Sequence, residues 1–221
     1  MSNQLLPPQT ASLAMASVME SREAQQVQVA MLAAKRFPRD ERAALDRILN
    51  SCSRESLAAV SQYQFARGGT DISGPSIRLA EAIAQHWGNM ECGWREIERR
   101  KDSDGVGVSV IEAYAWDMES NFREPRSFTV RHWRDKRGGG SPLTDERDIY
   151  ELCANQAARR LRACILAVIP GDIVEEAMRQ CDTTLSAKAD TSPAAQKKTS
   201  GSVRGFRHHQ GTDRSEDPAQ A

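Results

Sequence analysis

Apolar residues recur every three or four positions through the first part of the chain, a spacing that places them on one side of a helix. This pattern predicts helices over residues 17–37, 39–52 and 54–66, with Pro38 separating the first two. A fourth helix is predicted within ISGPSIRLAEAIAQHWGN, residues 72–89, because a proline occupies its first turn and Gly-Asn suits its exit. The first part of the chain is therefore predicted to be helical.

The apolar spacing then changes to alternation, which is typical of strands. The segment VGVSVIEAYAWDM, residues 106–118, is predicted to be a strand that follows a turn at SDG. Residues 94–100 and 126–134 can pair with it, with residues 121–125 in the second connection. We therefore predict an antiparallel three-stranded β-meander. The central-strand residues predicted to share one face are Val106, Val108, Val110, Tyr114 and Trp116.

Helical spacing returns after the glycine-rich loop DKRGGGSPLTDERD, in which Ser141 is expected to cap a helix and Pro142 to occupy its first turn. That helix ends at Pro170, and a shorter helix over residues 172–185 is predicted to follow, with Asp172 as its cap. The apolar stripe of the long helix consists of Ile149, Leu152, Cys153, Ala157, Leu161, Cys164, Ile165 and Val168.

These elements indicate one domain with polar ends. Residues 1–16 are expected to be a flexible N-terminus, and residues 186–221, which contain hardly an apolar residue, a disordered tail. Residues 17–185 are the predicted core domain. The predicted fold class is α+β: an antiparallel three-stranded β-meander packed on a long C-terminal helix, with an N-terminal helical region.

Charge and cysteine content narrow the possible functions. The 30 basic and 30 acidic residues cancel, so an anion site requires local segregation of charge. The 5 cysteines lack CxxC spacing and are expected to be mostly small buried thiols in a reducing compartment, without metal. Without a secretory leader or a long apolar segment, we expect a cytoplasmic protein that does not enter a membrane.

Three arginines interrupt the apolar pattern of ANQAARRLRACILAVIPGD, residues 154–172. Asn155, Arg159 and Arg162 have the spacing i, i+4 and i+7 and share one polar stripe, while Arg160 lies nearer the apolar boundary. One interpretation is an exposed face whose guanidinium groups pair with carboxylates. The other interpretation is an anion-binding surface.

The preceding sequence favours the second interpretation. Residues 123–137 contain six basic and two acidic residues, an excess of four positive charges. Because consecutive elements are usually neighbours in space, this strand, the KRGGG loop and the arginine helix are expected to form a basic groove that binds phosphate. Trp133 can stack on bases there, although a tryptophan is more often part of a core.

An enzyme is less well supported. The chain has no serine nucleophile elbow, no GxxxxGK[ST] loop and no His/Glu metal motif on a helix. Glu112 and Asp117 leave a metal-dependent nuclease open, although a separation of five residues puts them on opposite faces of a strand. A structural or interaction protein whose arginines form ion pairs is the third possibility.

The order of elements resembles that of the phage single-strand annealing proteins of the RecT/Redβ type and, more distantly, of the eukaryotic Rad-type annealing ring proteins. The resemblance covers about residues 17–180 and depends on the segments ISGPSIRLAEAIAQHWGN and NQAARRLRACILAVIPGD. In these families a β-meander packs on a long basic helix, and the two form a groove for the DNA backbone. The polar end of this chain departs from the folded C-terminal module that many members carry.

The resemblance implies a protein of bacteriophage origin that binds and anneals single-stranded DNA in homologous recombination, without ATP or another cofactor. It also implies a homo-oligomeric ring or filament, and a partner exonuclease or single-strand binding protein. Together with the charge pattern, it makes the following residues candidates for DNA binding: Arg131, Trp133, Arg134, Lys136, Arg137, Asn155, Arg159, Arg160 and Arg162, with Arg67 and Arg78 as weaker candidates.

Overall fold

The structure is a computed structural model that describes the backbone of residues 8–67, 70–136 and 138–191 and the side chains of residues 17–63, 73–136 and 138–188. The predicted mixture of helices with antiparallel sheets is confirmed. The helices are α1 (Pro8–Arg36), α2 (Glu41–Cys52), α3 (Glu55–Ala58), α4 (Ile77–Trp87), α5 (Glu146–Val168) and α6 (Gly171–Thr191). The strands are β1 (Gln62–Arg67), β2 (Thr70–Pro75), β3 (Met90–Lys101), β4 (Gly107–Asp117), β5 (Phe122–Arg131), β6 (Trp133–Arg134) and β7 (Ser141–Pro142).

Both outer helices are longer than predicted. Helix α1 begins at Pro8, inside the expected flexible N-terminus, because a proline at the first helical position needs no amide partner. Helix α6 continues to Thr191, past the predicted boundary at residue 186. The rest of the expected tail, residues 192–221, lies outside the described part of the chain.

The predicted third helix is wrong over most of its length. Helix α3 ends at Ala58, and residues from Gln62 onward form β1, which pairs with β2 in an antiparallel hairpin. Tyr63 and Phe65 alternate with glutamines, and Gly-Gly follows the strand in the sequence, so local strand and turn signals outweigh the helical spacing. Pro75 ends β2, and Ser76 caps α4 by accepting a hydrogen bond from the amide of Leu79.

Strands β3, β4 and β5 pair in that order into an antiparallel sheet. Strand β4 buries its Ile111, Ala113 and Ala115 face, whereas Tyr114 and Trp116 on the predicted apolar face are only half-buried. The small alanines allow α4 and α5 to approach the sheet closely. Strand β5 already includes Phe122 to Pro125, which were expected to form a connection.

The edges of this sheet carry features that oppose further strand pairing. Strand β3 has a bulge between Glu96 and Glu98, and its second half is exposed and rich in charge. Pro125 lies in β5, the opposite edge strand, where a missing amide is tolerated.

Helix α5 starts at a different residue from the one predicted. Asp145 is its N-cap and accepts hydrogen bonds from the amides of Arg147 and Asp148, whereas Ser141 and Pro142 form β7 and pair with β6. Both amides donate to Asp145 Oδ1, and the negative charge of the carboxylate is favourable at the positive end of the helix, which a serine hydroxyl does not provide. The inner stripe of α5 packs against Ile111 and Val130 in one cluster and extends into the main core in another.

Four of the five cysteines are buried in these clusters, and Cys92 is exposed. All five are free thiols. Burial raises the pKa of the Cys164 thiol to about 11 and also raises the pKa of Cys153. These two thiols are therefore protonated at neutral pH and act as small apolar residues, as their spacing on the stripe predicts.

Arg39 joins the start of α2 to the end of β4. Its guanidinium pairs with Asp117 and, at 2.8 Å, with Glu119, and it lies 4.7 Å from the centre of the Trp87 ring. Its side chain is only 5% exposed. Burial opposes ionisation of Glu119, but hydrogen bonds from Asn89 and Arg39 outweigh it and lower the pKa of that carboxyl.

The glycine-rich loop has one position that requires glycine for space. A Cβ atom at Gly140 would contact the indole nitrogen of Trp133, lie 2.6 Å from Trp133 Cε2 and lie 2.9 Å from the Arg134 carbonyl oxygen. We predict that Gly140→Ala lowers the free energy of unfolding by about 1–3 kcal/mol, because the indole or the backbone must move. Urea unfolding measures the change. Gly171→Ala, where a Cβ meets nothing within 4 Å, is the control, and equal losses in both variants would contradict the prediction.

A chain of polar side chains connects β3, β4 and the residue that follows β5. The hydroxyl of Ser109 donates to Glu96 Oε1 at 2.6 Å and lies 2.7 Å from His132 Nε2. Because a hydroxyl has one proton, which Ser109 gives to Glu96, the Nε2–H group of His132 donates the second hydrogen bond. Burial, and then the charge of Arg99, lower the pKa of His132, which Glu96 and Glu146 oppose.

This histidine predicts a pH dependence of stability. Its pKa in the folded protein lies below the value of about 6.5 in the unfolded chain, so the unfolded chain binds the proton first as pH falls. Stability is therefore present above about pH 6.5 and is lost below it, by at most about 1.4 kcal/mol per pH unit. Urea unfolding between pH 7.5 and 5 measures this slope. The slope of His132→Gln should be shallower, and an unchanged slope would contradict the assignment.

Candidate nucleic-acid interface

Helix α5 presents three arginines that make no ion pair with any carboxylate in the described part of the chain: Arg159, Arg160 and Arg162. On α5, Arg159 points away from the buried stripe. Arg160 lies on the side of the helix that faces β5, and Arg162 lies on the side that faces the β1–β2 hairpin. Arg159 is exposed, as is Asn155 one turn earlier. The middle of α5 therefore carries three guanidinium groups without carboxylate partners among the described residues.

Arg160 is held against the sheet. Its guanidinium lies 4.3 Å from the ring centre of Phe128 on β5, and Nη1 donates to the side chain of Gln156 at 2.6 Å and to its carbonyl oxygen at 3.0 Å. Arg126 lies two residues before Phe128 on the same face of the strand, where it pairs with Glu124 at 3.1 Å. Stacking on the ring leaves the remaining donors of Arg160 free to bind an anion.

Arg162 is held on the other side of α5. Its guanidinium lies 4.1 Å from the ring centre of Tyr63, at the start of the β1–β2 hairpin. Tyr63 itself packs over Gly74, where an added Cβ would lie 3.0 Å from the ring. Two aromatic rings from separate sheets thus orient two of the three guanidinium groups, which lowers the side-chain entropy that binding would cost.

The arginines of the sheets differ from those of α5. Every arginine of β3, β5 and β6 lies within ion-pair distance of a carboxylate. This includes Arg131 and Arg134, which were predicted to bind DNA. Arg131 pairs with Asp102 at 2.6 Å and Asp104 at 2.7 Å, and Arg134 pairs with Asp148 at 2.8 Å. The predicted groove between strand, loop and helix is therefore largely neutralised, because carboxylates outside the counted window supply the counter-charges.

Three predicted residues, Trp133, Arg134 and Asn155, line one cleft of about 360 Å³ between the β6–β7 region and α5. The same cleft is lined by three carboxylates, Asp135, Asp148 and Glu151, so its charge is unfavourable for a phosphate. Trp133 is half-buried under the guanidinium of Arg131, 5.1 Å from the ring centre. These contacts indicate a packing role for the indole.

The other predicted residues lie apart. Arg78 is on α4, in a separate groove. Lys136 is exposed in the loop after β6. Arg67 ends β1, but its side chain lies outside the described residues, as does the whole of Arg137.

The carboxylates considered for a nuclease lie on opposite faces of β4, as their separation predicts. Glu112 accepts hydrogen bonds from Arg95 at 2.9 Å and from Arg123 at 3.4 Å on the outer face, whereas Asp117 pairs with Arg39 at the end of the strand. Within the described residues, no group of three or more His, Cys, Asp or Glu side chains could hold a metal ion. Glu112 and Asp117 are thus each paired with guanidinium groups, on separate parts of β4.

Phe128 and Gln156 also belong to this surface, although neither was among the predicted residues. Phe128 belongs to the alternating pattern of β5, which predicts the face of the strand on which it lies but no contact with Arg160. The contact between Gln156 and Arg160 could have been predicted from the sequence. The two residues are four positions apart on a helix, a spacing that places the amide beside the guanidinium.

Comparisons with protein-family models, characterised proteins and solved structures find no match to this chain. Among the described residues, no helix has the length and apolar content needed to cross a membrane.

Proposed function

We propose that this protein binds single-stranded DNA through the outer face of α5 and anneals complementary strands without ATP. One observation carries the proposal: Arg159, Arg160 and Arg162 form no ion pairs among the described residues, while every described arginine of the sheet strands lies near a carboxylate. Charge that is left without carboxylate partners on one helix, in a chain with a net charge of zero, is a local surface that attracts an anionic partner.

The chemistry of the surface suits a sugar-phosphate backbone. Guanidinium groups donate in pairs to phosphate oxygens, and nothing on α5 forms a set of acceptors and donors that would read base edges. A protein that pairs two strands must hold the phosphates and leave the bases accessible. Tyr63 and Phe128 support the arginines and offer ring edges for sugars or bases.

The arrangement of elements supports the same proposal. A meander of β3, β4 and β5 against the long helix α5 is the arrangement expected of the annealing proteins that the chain resembles. By the same resemblance we propose a homo-oligomer that acts in recombination in the bacterial cytoplasm, because three phosphate contacts per protomer are too few for tight binding alone. A partner exonuclease or single-strand binding protein is part of that proposal.

An annealing assay tests the proposal. Complementary labelled oligonucleotides are mixed with the purified full chain in the absence of nucleotide, and pairing is followed by fluorescence. We expect pairing faster than in protein-free samples, with single-strand affinity falling at a log–log salt slope of about −2 for three phosphates per protomer. Pairing no faster than without protein, or affinity independent of salt, would refute the proposal.

A further inference from the structure

Two buried cysteines lie side by side where α6 packs against the end of α2. Cys52 is the last residue of α2, Cys181 lies in α6, and the two residues are 1% and 0% exposed. Their thiols are close enough to form a hydrogen bond with each other. Cys153 and Cys164, by contrast, are eleven positions apart on α5, which separates them by about 16 Å along the helix. Cys52 and Cys181 therefore form a pair, and Cys153 and Cys164 do not.

Polar contacts hold α6 in place around this pair. One turn after Cys181, the hydroxyl of Thr184 donates to the carbonyl oxygen of Cys52 at 3.0 Å. Gln62 Nε2 donates to Asp182 Oδ1 at 2.6 Å, next to Cys181 in the chain. A disulfide requires the two α carbons to lie within about 7 Å, so a fixed approach of the two helices favours its formation.

A cavity of about 420 Å³ lies beside the pair and is lined by residues that include Ser61, Asp182 and Leu185. Ser61 also contacts the thiol of Cys181. Hydrogen peroxide is little larger than water, so it can enter a cavity of this size. The cavity thus offers a small oxidant a route toward a thiol that has no exposed surface of its own.

The two thiols of the pair differ in acidity. The hydrogen bond from Cys52 lowers the pKa of Cys181, although burial opposes it, and the same hydrogen bond, followed by burial, raises the pKa of Cys52. Because the thiolate is the reactive form of a cysteine, Cys181 is the nucleophile and Cys52 is the partner that closes a disulfide. Burial raises the pKa of Cys153 and Cys164 and makes both less reactive.

We infer that Cys52 and Cys181 form an oxidation site, at which hydrogen peroxide converts the two thiols to a disulfide between α2 and α6. The Cys181 thiolate attacks one peroxide oxygen, the O–O bond breaks, and the hydroxide that leaves takes up a proton to form water. The Cys52 sulfur then attacks the sulfenic acid of Cys181, which forms the S–S bond and releases a second water. The two sulfurs lose two electrons, which the peroxide gains.

This inference is independent of the proposed function. The disulfide would join the ends of a segment that contains the sheet of β3, β4 and β5 and all of α5, and it would limit how far α6 can separate from α2 when the chain opens. Exchange with an external thiol would reverse the step.

Peptide mapping after oxidation tests the inference. The full chain is treated with hydrogen peroxide in native buffer, and the remaining thiols are blocked with N-ethylmaleimide in urea. Trypsin then releases residues 48–54 and 180–188, each with one cysteine. We expect these two peptides to be linked, about 2 Da lighter than their sum and separable by dithiothreitol. The link should form about tenfold or more faster than any oxidation of Cys153 or Cys164. Recovery of both peptides only as N-ethylmaleimide adducts, or a link between other cysteines, would overturn the inference.

Variants in a Cys92→Ser background, which removes the exposed thiol, identify the role of each cysteine. Cys52→Ser should stop the reaction at the sulfenic acid of Cys181, which dimedone labels. The matched control is Cys153→Ser, which removes a buried thiol outside the pair and should form the link at the wild-type rate. A Cys52→Ser variant that dimedone does not label at Cys181, or loss of the link in Cys153→Ser, would also contradict the inference.

Discussion

Replacing Arg159, Arg160 and Arg162 together with alanine is expected to weaken single-stranded DNA binding by about a thousandfold and to abolish annealing. Each guanidinium–phosphate hydrogen bond contributes about 1.5 kcal/mol, slightly more than a factor of ten, and none of these arginines loses an internal ion pair. The log–log salt slope of the remaining binding should be shallower by about 2. Fluorescence anisotropy of a labelled oligonucleotide at several salt concentrations measures both quantities.

A control variant of equal charge distinguishes this surface from a general effect of net charge. Arg100, Arg147 and Arg179 are exposed and paired with Glu98, Glu151 and Glu176. Their triple replacement with alanine should leave affinity within a few-fold of the wild type. Because Arg160 and Arg162 also pack on Phe128 and Tyr63, thermal unfolding should accompany each measurement. Equal weakening in both triple variants would contradict the assignment of DNA binding to Arg159, Arg160 and Arg162.

Replacing Arg39 with alanine is expected to cost about 3–5 kcal/mol of folding free energy, the largest loss for any single arginine. The substitution leaves Asp117 and Glu119 without their buried partner, with side chains only 11% and 19% exposed. A buried carboxylate that loses its counter-charge keeps its desolvation cost and loses the compensating attraction. The contact of the guanidinium with Trp87 is lost as well. Urea unfolding at pH 7 gives the free energy and the slope m.

The neighbouring Arg42 provides the matched control, because it is exposed on the same helix. Arg42→Ala should change stability by less than about 0.5 kcal/mol. Lowering the pH toward 4 should narrow the difference between Arg39→Ala and wild type, since protonation removes the uncompensated charges. If Arg39→Ala lowers the free energy of unfolding by less than about 1 kcal/mol at neutral pH, the ion pairs of Arg39 do not stabilise the contact between the start of α2 and the end of β4.

Much of the secondary structure follows from local signals in the sequence. Helix α4 and strand β4 were predicted to within a few residues, because the glycine and alternation signals agree with the packing. The expected place of Pro75 in the first turn of α4 was wrong, since Pro75 ends β2 and Ser76 is the N-cap. Residues 54–66 were mispredicted because short apolar spacing fits both a helix and a hairpin, and only pairing with β2 decides. The burial of Ala113 in place of Tyr114 depends on how closely the helices approach, which no local pattern contains.

The candidate surface was predictable in part. The spacing of Asn155, Arg159 and Arg162 correctly places them on one polar stripe of a helix. Counting charges along the chain could not show that Asp102 and Asp104 neutralise Arg131, because these carboxylates precede it by a whole strand. Nor could it show the rings that support Arg160 and Arg162, since Phe128 and Tyr63 come from different sheets.

The two edge strands of the central sheet, β3 and β5, limit the ways in which the protein can aggregate in concentrated solutions. The backbone of a neighbouring molecule cannot extend the hydrogen-bond ladder past the bulge between Glu96 and Glu98 in β3. It cannot extend the ladder past Pro125 in β5 either, because proline has no amide hydrogen. Amyloid-like stacking is thereby discouraged, and any ordered polymer has to grow through contacts between side-chain surfaces. Such a polymer can come apart again when salt or ligand changes, which a cross-β fibre does not do.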